Sequence, residues 1–120
     1  MAKVMVVDDT AFMRLKLKQI LKEFGHEIVG EAENGKIAVD KYKSLDPDIV
    51  FMDITMPEMD GIEAVKTLKK IDSDVQVVIC SAMGQKKIVL EAIKSGAKDF
   101  IVKPFKKGKI EETINKLNIQ

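Results

Sequence analysis

The sequence predicts an α/β domain in which a doubly wound, parallel sheet of five strands carries helices on both faces. Five short apolar runs rich in β-branched residues recur at intervals of 21 to 26 residues. Between them, apolar residues recur every three or four positions, which is the period of a helix. Because strand and helix alternate five times, each crossover is expected to be right-handed and each strand parallel to the others. A chain of 120 residues can bury one such core and is too short for two.

The apolar runs are predicted as strands in chain order. The first, third and fourth are almost continuously apolar, which is typical of central strands covered on both faces. The second is more polar and is predicted to lie at an edge. The five runs are Val4–Val7, Glu27–Val29, Ile49–Met52, Val75–Ile79 and Phe100–Val102.

The segments between the runs are predicted as helices, each with one apolar stripe. Gly25 is expected to end the first helix, Asp46-Pro47 the second and Ser95-Gly96 the fourth, since glycine takes positive φ easily and proline cannot continue a helix. The stripes are Met13, Leu17, Ile20 and Phe24; Ala38, Tyr42 and Leu45; Ile62, Val65 and Leu68; Ile88, Val89, Ala92 and Ile93; and Ile110, Ile114 and Leu117.

Composition argues against several classes of protein. The net charge of +1 does not favour nucleic-acid binding, and a single cysteine, Cys80, cannot form an intrachain disulfide. No apolar run is long enough to span a bilayer, and the N-terminus does not look like a signal peptide. We therefore expect one soluble, cytoplasmic domain. Residues 81–120 nevertheless carry 9 basic and 4 acidic side chains, which predicts either a solvated face or a basic docking surface.

Polar side chains follow four of the five runs. Asp8 and Asp9 follow the first, Asp53 the third, Ser81 the fourth and Lys103 the fifth. In an open α/β sheet, ligands bind beyond the carboxyl ends of the strands, where these side chains should meet. Taken singly, Asp8 or Asp9 could be a helix N-cap, Ser81 a turn residue and Lys103 a solvated cation.

Taken together, these residues favour a cation site. Three carboxylates roughly 5 Å apart repel by about 3 kcal/mol per pair at an effective dielectric near 20, so they are best tolerated around a positive ion. The candidate ligands are oxygens, with no histidine or cysteine among them, which is the ligand type that Mg²⁺ prefers. The sequence therefore favours a magnesium site over a cluster of acids with a purely structural role. A magnesium ion, an ammonium and a hydroxyl are also the groups that hold a phosphoryl group.

Several other kinds of site are missing from the sequence. It contains neither the dinucleotide-binding fingerprint nor the GxxxxGK[ST] phosphate loop. The only histidine, His26, is predicted to be a surface turn residue at the opposite end of the sheet, and Cys80 is predicted to pack in the fourth strand. The remaining candidate acceptor of a phosphoryl group is a carboxylate, and aspartyl phosphates are a known covalent form.

The whole chain resembles the response-regulator receiver domains, and most of all the free-standing chemotaxis regulators of archaea and thermophilic bacteria. The resemblance is carried by Asp8-Asp9, by Ser81-Ala82, by Lys103-Pro104-Phe105 and by the run Asp53-Ile54-Thr55-Met56-Pro57-Glu58-Met59-Asp60-Gly61. It implies a flavodoxin-like (βα)5 fold with strand order 2-1-3-4-5. It also implies a single receiver domain over residues 1–120 with no effector domain.

The resemblance assigns a role to each of these residues. Asp53 would accept a phosphoryl group from a CheA-like histidine kinase, so the domain would signal and not act as an enzyme beyond its own phosphorylation and slow dephosphorylation. Asp9, Asp53 and the backbone carbonyl of Thr55 would bind Mg²⁺, with Asp8 acting through the water shell of the metal. Lys103, preceding a cis proline, would pair with the phosphoryl group, and Ser81 would bond to it.

The same resemblance implies a switch and a control of its lifetime. Ser81 would move toward the phosphoryl group, and Phe100, a core aromatic of the fifth strand, would swing into the space opened beneath the fourth helix. Thr55 and Met83 would govern the water that removes the phosphoryl group, and since methionine accepts only weak hydrogen bonds, a separate phosphatase could be needed. The expected partner is a flagellar or archaellar motor switch or an adaptor protein, bound by a monomer that neither binds nucleic acid nor enters a membrane.

Three other interpretations compete with this one. A magnesium-dependent phosphatase of the haloacid dehalogenase type also forms an aspartyl phosphate, but it needs a second Asp where Thr55 stands. A flavodoxin-like cofactor carrier needs aromatic residues around its flavin, and this chain has no tryptophan and a single tyrosine, Tyr42. A degenerate receiver that is never phosphorylated is disfavoured because every key position is filled.

Overall fold

Five parallel strands form one sheet in the order β2-β1-β3-β4-β5, so the predicted fold and strand order are confirmed. The structure is a computed structural model, and it describes residues 1–56 and 58–117; Pro57 of the Asp53–Gly61 run lies outside them. The strands are β1 (Lys3–Val7), β2 (Glu27–Ala32), β3 (Ile49–Asp53), β4 (Val77–Ser81) and β5 (Asp99–Val102).

Burial along the strands follows their place in the sheet. Every residue of β3 and β4 is buried, as expected for central strands. The edge strand β2 is mostly half-buried, and the opposite edge strand, β5, buries only Ile101. The fourth strand spans Val77–Ser81, whereas the predicted run was Val75–Ile79. Ser81 is therefore the last residue of this strand and does not follow it.

Five helices cover the two faces of the sheet. They are α1 (Ala11–Glu23), α2 (Gly35–Leu45), α3 (Gly61–Ile71), α4 (Lys86–Ser95) and α5 (Lys107–Lys116). The predicted stops are observed, with Gly25 at φ 84°, Asp46 at φ 45° and Gly96 at φ 126°. None of the helices described is long and apolar enough to cross a membrane.

Two apolar cores lie on opposite faces because successive residues of a strand point to opposite sides. On one face α2, α3 and α4 pack over Met5, Val50, Met52 and Ile79. On the other face α1 and α5 pack over Val4, Val6, Ile49, Phe51, Val78 and Cys80. Cys80 is therefore a packing residue, as predicted.

The prediction for His26 is wrong. This residue does lie between α1 and β2, at the amino end of the strands, but its side chain is only 7% exposed. Its Nδ1 accepts a hydrogen bond from the backbone N–H of Ala2 at 3.0 Å, and its Nε2 lies 3.8 Å from Glu111 Oε1. The imidazole is covered because the backbone of Ala2 and Glu111 of α5 both lie against it.

Gly61 allows α3 to begin directly beside the end of β3. Its N–H donates to the carbonyl of Ile54 at 3.0 Å, and a Cβ at this position would lie 2.7 Å from both the Asp53 carbonyl oxygen and the Ile54 Cα. These are backbone atoms that cannot rotate away. By contrast, a Cβ at Gly108 in α5 would meet nothing within 4 Å.

We expect Gly61→Ala to lower the free energy of unfolding by about 1–3 kcal/mol, because the added methyl group must displace backbone. The matched variant Gly108→Ala should leave stability unchanged or raise it by up to about 1 kcal/mol, since alanine is the better helix former. Urea denaturation of both variants measures the difference. Equal effects would contradict the close contact at Gly61.

Candidate functional site

Four strands deliver polar side chains to one edge of the sheet. Asp8 follows β1, Asp53 and Ser81 end β3 and β4, and Lys103 follows β5. Carboxylate oxygens of Asp8, Asp9 and Asp53 all lie within 4.8 Å of one another. The residues singled out from the sequence therefore share one pocket, at the carboxyl ends of the strands.

Lys103 lies between two of the carboxylates. Its Nζ is 3.0 Å from Asp8 Oδ2 and 3.3 Å from Asp53 Oδ1. Its backbone N–H donates to the Ser81 carbonyl at 2.7 Å, and the Lys103–Pro104 peptide bond is cis, as the resemblance implied. Lys103 is thus held at the pocket through both its ammonium group and its backbone N–H.

Asp8 and Asp9 differ in their surroundings. Asp8 is buried, and its Oδ1 accepts from the Thr10 N–H at 2.9 Å while its Oδ2 faces Lys103. Asp9 is exposed. The N-cap of α1 is Thr10, so the alternative interpretation of Asp8 or Asp9 as the cap is wrong. With Asp8 already bonded inside the protein, Asp9 is the carboxylate more open to an ion arriving from solvent.

The charges of the pocket are unbalanced. Asp53 is 7% exposed, and burial, followed by the charge of Asp8, raises its pKa to about 6 although Lys103 opposes the shift. Burial alone would lower the pKa of Lys103, but its hydrogen bond to Asp8 and the charge of Asp53 outweigh this and raise it. Lys103 therefore stays charged, and one ammonium is left to balance three carboxylates.

This donor set fits a hard divalent cation. The three clustered groups supply oxygen only, and the nitrogen and sulfur ligands that softer metals prefer lie elsewhere: His26 is at the far end of the sheet, and Cys80 is buried with a raised pKa. Burial, followed by the charge of Asp8, raises the pKa of Asp53, and a cation would relieve the repulsion by Asp8. Magnesium suits such a site, because it takes one or two carboxylates and keeps several waters.

Gln85, which the sequence analysis did not single out, lies over the same pocket. Its Oε1 accepts from the Ala82 N–H at 2.9 Å, and its Nε2 is 3.4 Å from Thr55 Oγ1. It therefore connects the loop after Ser81 with the loop after Asp53. Thr55 and Met83 are exposed beside it, with Met83 78% exposed. The contact with Ala82 lies within one loop, whereas the contact with Thr55 joins two loops, and no local pattern in the sequence marks a glutamine for it.

Phe100 is not the core aromatic that was predicted. Its side chain is 41% exposed, because β5 is an edge strand whose central residue, Ile101, is the one that packs inward. Phe100 and Val102 instead line an apolar groove that runs past Met83, Val89 and Leu90 to buried Ser81. The groove therefore connects the pocket with the outer surface of α4 and β5.

The basic excess of the C-terminal third lies on this same side. Seven exposed lysines belong to α4, to α5 and to the segments on either side of β5. Two are partly neutralised within the chain, since Lys107 pairs with Glu23 at 2.8 Å and Lys109 with Glu112 at 3.7 Å. The seven, called here the lysine surface, are Lys86, Lys87, Lys94, Lys98, Lys106, Lys107 and Lys109.

Comparison with known proteins decides the family. Residues 4–115 match the family model of the response regulator receiver domain. The chain belongs to this family. It is 58% identical over 116 residues to the chemotaxis protein CheY of Thermotoga maritima, covering 97% of each chain, and 57% identical over 114 residues to that of Bacillus subtilis, covering 95% of each.

A solved structure resembles this receiver domain closely. It is the CheX-CheY-BeF3-Mg complex of Borrelia burgdorferi, with a TM-score of 0.92 and 37% identity, covering 98% of this chain and 90% of the other. CheY-like receiver domains are signalling domains of two-component systems and not classical enzymes, and they bind Mg²⁺ at an acidic pocket. Membership of this family argues against the phosphatase and flavin-carrier alternatives.

The raised pKa of Asp53 gives the receiver domain a stability that depends on pH. Between about pH 4 and 6 the folded state keeps a proton that the unfolded chain has lost, so stability falls as the pH rises through this range. Above about pH 6 the full cost of the buried charge is present. A neutral side chain of the same shape avoids this cost.

We therefore expect Asp53→Asn to be more stable than the parent at pH 8 in EDTA, by on the order of 1–3 kcal/mol. The difference should shrink toward zero near pH 4, as thermal unfolding across this range can show. Asp74→Asn, which replaces an exposed carboxylate, serves as the control and should change little. A difference that is the same at pH 4 and pH 8 would contradict the buried-charge explanation.

Proposed function

We propose that the chain is a chemotaxis response regulator that is phosphorylated on Asp53 by a CheA-like histidine kinase and then binds a downstream target. One observation carries the proposal: buried Asp53 lies 3.3 Å from Lys103 and within 4.8 Å of Asp8 and Asp9. In the transfer, an Asp53 carboxylate oxygen bonds to phosphorus as the P–N bond of the phosphohistidine breaks, and the imidazole keeps the electron pair.

Magnesium would be held by Asp9, Asp53 and the backbone carbonyl of Thr55, with Asp8 bonding to its water shell. When bound, it supplies positive charge to the phosphoryl oxygens. The all-oxygen cluster of this chain and the magnesium of the Borrelia complex both support this assignment. Asp8, held by Thr10 and Lys103, would keep the acidic side of the pocket in place.

Lys103 and Ser81 would act on the phosphoryl group from the other side. Lys103 orients the Asp53 carboxylate before transfer, and its ammonium would then pair with a phosphoryl oxygen. Ser81 ends the strand beside β3, and its buried hydroxyl would donate to another of these oxygens. Together they would favour the charge that builds up during transfer.

The switch would follow from the added charge. Phosphorylation brings nearly one further negative charge and new acceptor oxygens, which would draw Ser81 and its loop toward Asp53. Phe100, now exposed in the groove next to Ser81, would turn inward into the space that opens. The change would reshape the α4–β5–α5 face, where the lysine surface would bind an acidic segment of a flagellar or archaellar motor switch or an adaptor protein.

We also propose the oligomeric state and the cellular compartment in which the protein acts. Residues 1–120 would work as one receiver domain, as a monomer, in the cytoplasm, where the kinase and the cytoplasmic side of the motor are found. The strong identity to CheY proteins over nearly the whole chain supports chemotaxis as the pathway.

Phosphorylation of Asp53 can be tested directly by intact mass. After exposure to acetyl phosphate with Mg²⁺, we expect the parent to gain the mass of one phosphoryl group, and to gain much less without the metal. Asp53→Asn should gain none, while Asp74→Asn, with an exposed carboxylate replaced, should behave like the parent. A parent that never gains the group, or an Asp53→Asn variant that gains it equally, would contradict the proposal.

We further propose that the phosphoryl group on Asp53 has a long lifetime. Thr55 and Met83 stand where the attacking water would be oriented, and the exposed thioether of Met83 is a poor hydrogen-bond acceptor. The parent should therefore lose phosphate slowly. A separate phosphatase, of the kind that CheX in the Borrelia complex suggests, would then end the signal.

We expect Met83→Glu to speed autodephosphorylation by about tenfold, or about 1.4 kcal/mol of activation free energy, because a carboxylate can hold the water. Met83→Leu, an apolar control of similar size, should keep the parent rate. The decay of phosphorylated protein, followed by intact mass after the donor is removed, provides the rates. Equal or faster loss from the parent than from Met83→Glu would count against a role for this position.

A further inference from the structure

The backbone carbonyl of Asp8 has a side-chain partner that none of the proposed roles explains. Asp8 lies between the last residue of β1 and the first of α1, outside both elements. Its carbonyl oxygen accepts from Arg14 Nη1 at 2.7 Å. Side chains of a helix lean toward its N-terminus, so Arg14, at the end of the first turn of α1, can reach back to the loop before the helix.

Arg14 is itself held from the edge of the sheet. Its Nε donates to Glu31 Oε1 on β2 at 2.8 Å, and its side chain is only 16% exposed. The other carboxylate oxygen of Glu31 accepts from Lys18 at 2.6 Å. The hydrogen bonds from Lys18 and then Arg14 lower the pKa of Glu31, which therefore stays charged. One planar guanidinium thus spans from β2 to the loop that carries the acidic cluster.

We propose that Arg14 is a positioning residue for the cation site, acting through the Asp8 carbonyl on the turn that presents Asp8 and Asp9 to Asp53. The inference rests on the proposed magnesium site. Four hydrogen bonds hold this turn. The Asp8 N–H donates to the Ala32 carbonyl at 3.1 Å, Arg14 donates to the Asp8 carbonyl, and Thr10 and Lys103 donate to the two carboxylate oxygens of Asp8. Of these bonds, the one from Arg14 alone holds the Asp8 carbonyl, which belongs to the peptide group that joins Asp8 to Asp9.

The role of Arg14 is geometric and not a matter of its charge. A positive charge near the cluster would by itself weaken the binding of a cation, and Glu31 compensates it. Lysine could not replace it fully, because only the forked guanidinium presents two N–H groups in a fixed plane to two partners. Outer-shell groups that orient metal ligands commonly change metal affinity about 10- to 100-fold when they are removed.

Lys18 offers a closely matched control. Arg14→Met and Lys18→Met each remove one positive charge, one ion pair to Glu31 and one long side chain from α1. Only Arg14→Met also removes the donor to the Asp8 carbonyl. A purely structural or purely electrostatic role of the Glu31 cluster would therefore affect the two variants alike.

The test is a titration of the unphosphorylated full chain with Mn²⁺, used as a spectroscopic substitute for Mg²⁺, with free ion counted by electron paramagnetic resonance. We expect Arg14→Met to bind about tenfold more weakly than the parent, and Lys18→Met to bind as tightly as the parent or slightly more tightly. Equal affinities for the two variants, or tighter binding by Arg14→Met, would overturn the inference.

Two further measurements distinguish a loss of positioning from a loss of the fold and from the absence of a metal site. If thermal unfolding shows that Arg14→Met is not folded, Arg14→Lys takes its place, and parent-like binding by this charge-conserving variant overturns the positioning role. Asp53→Asn tests the site itself. A parent that does not bind Mn²⁺, or an Asp53→Asn variant that binds as tightly as the parent, would remove the proposed magnesium site and the inference with it.

Discussion

The repulsion among three carboxylates at one edge of the sheet is the constraint on which this site depends. Asp8 and Asp53 are buried, Asp9 is exposed beside them, and Lys103 is the cation that lies between the two buried groups. One ammonium does not balance three acids, and this imbalance adds to the burial that raises the pKa of Asp53. The same imbalance favours a divalent cation and supports the proposed binding of a phosphoryl group through Lys103 and that cation.

The order of the strands makes this concentration of charge possible. The central strands β1 and β3 bring Asp8 and Asp53 side by side, and β4 and β5 add Ser81 and Lys103 from the next two positions. Since all five strands are parallel, their carboxyl ends open on the same side and the four groups converge there. Gly61 then lets α3 start against the backbone of Asp53 without a side chain in the way.

The two sides of the pocket are built differently. On the β2 side, the carbonyl of Asp8 is tied through Arg14 to Glu31. On the β5 side, the strand buries a single residue, Phe100 lies in an open groove, and Gln85 joins its loop to the loop after Asp53 only by a long contact of 3.4 Å to Thr55. A firmly held half that presents the acids and a loosely packed half beside the lysine surface suit a domain that converts a local charge change into a change of shape.

The sequence by itself determined the five strands, the five helices, the edge position of β2 and the candidates for the site, because apolar periodicity and polar residues at strand ends are local signals. Only the tertiary structure decided what covers each residue. It placed Phe100 at the surface, since β5 has no neighbour beyond it, and it covered His26 with the N-terminal residues and α5. The bond from Arg14 to Glu31, the contact of Gln85 with Thr55 and the shifted pKa of Asp53 all arise between segments distant in the chain, and periodicity within one segment carries no information about them.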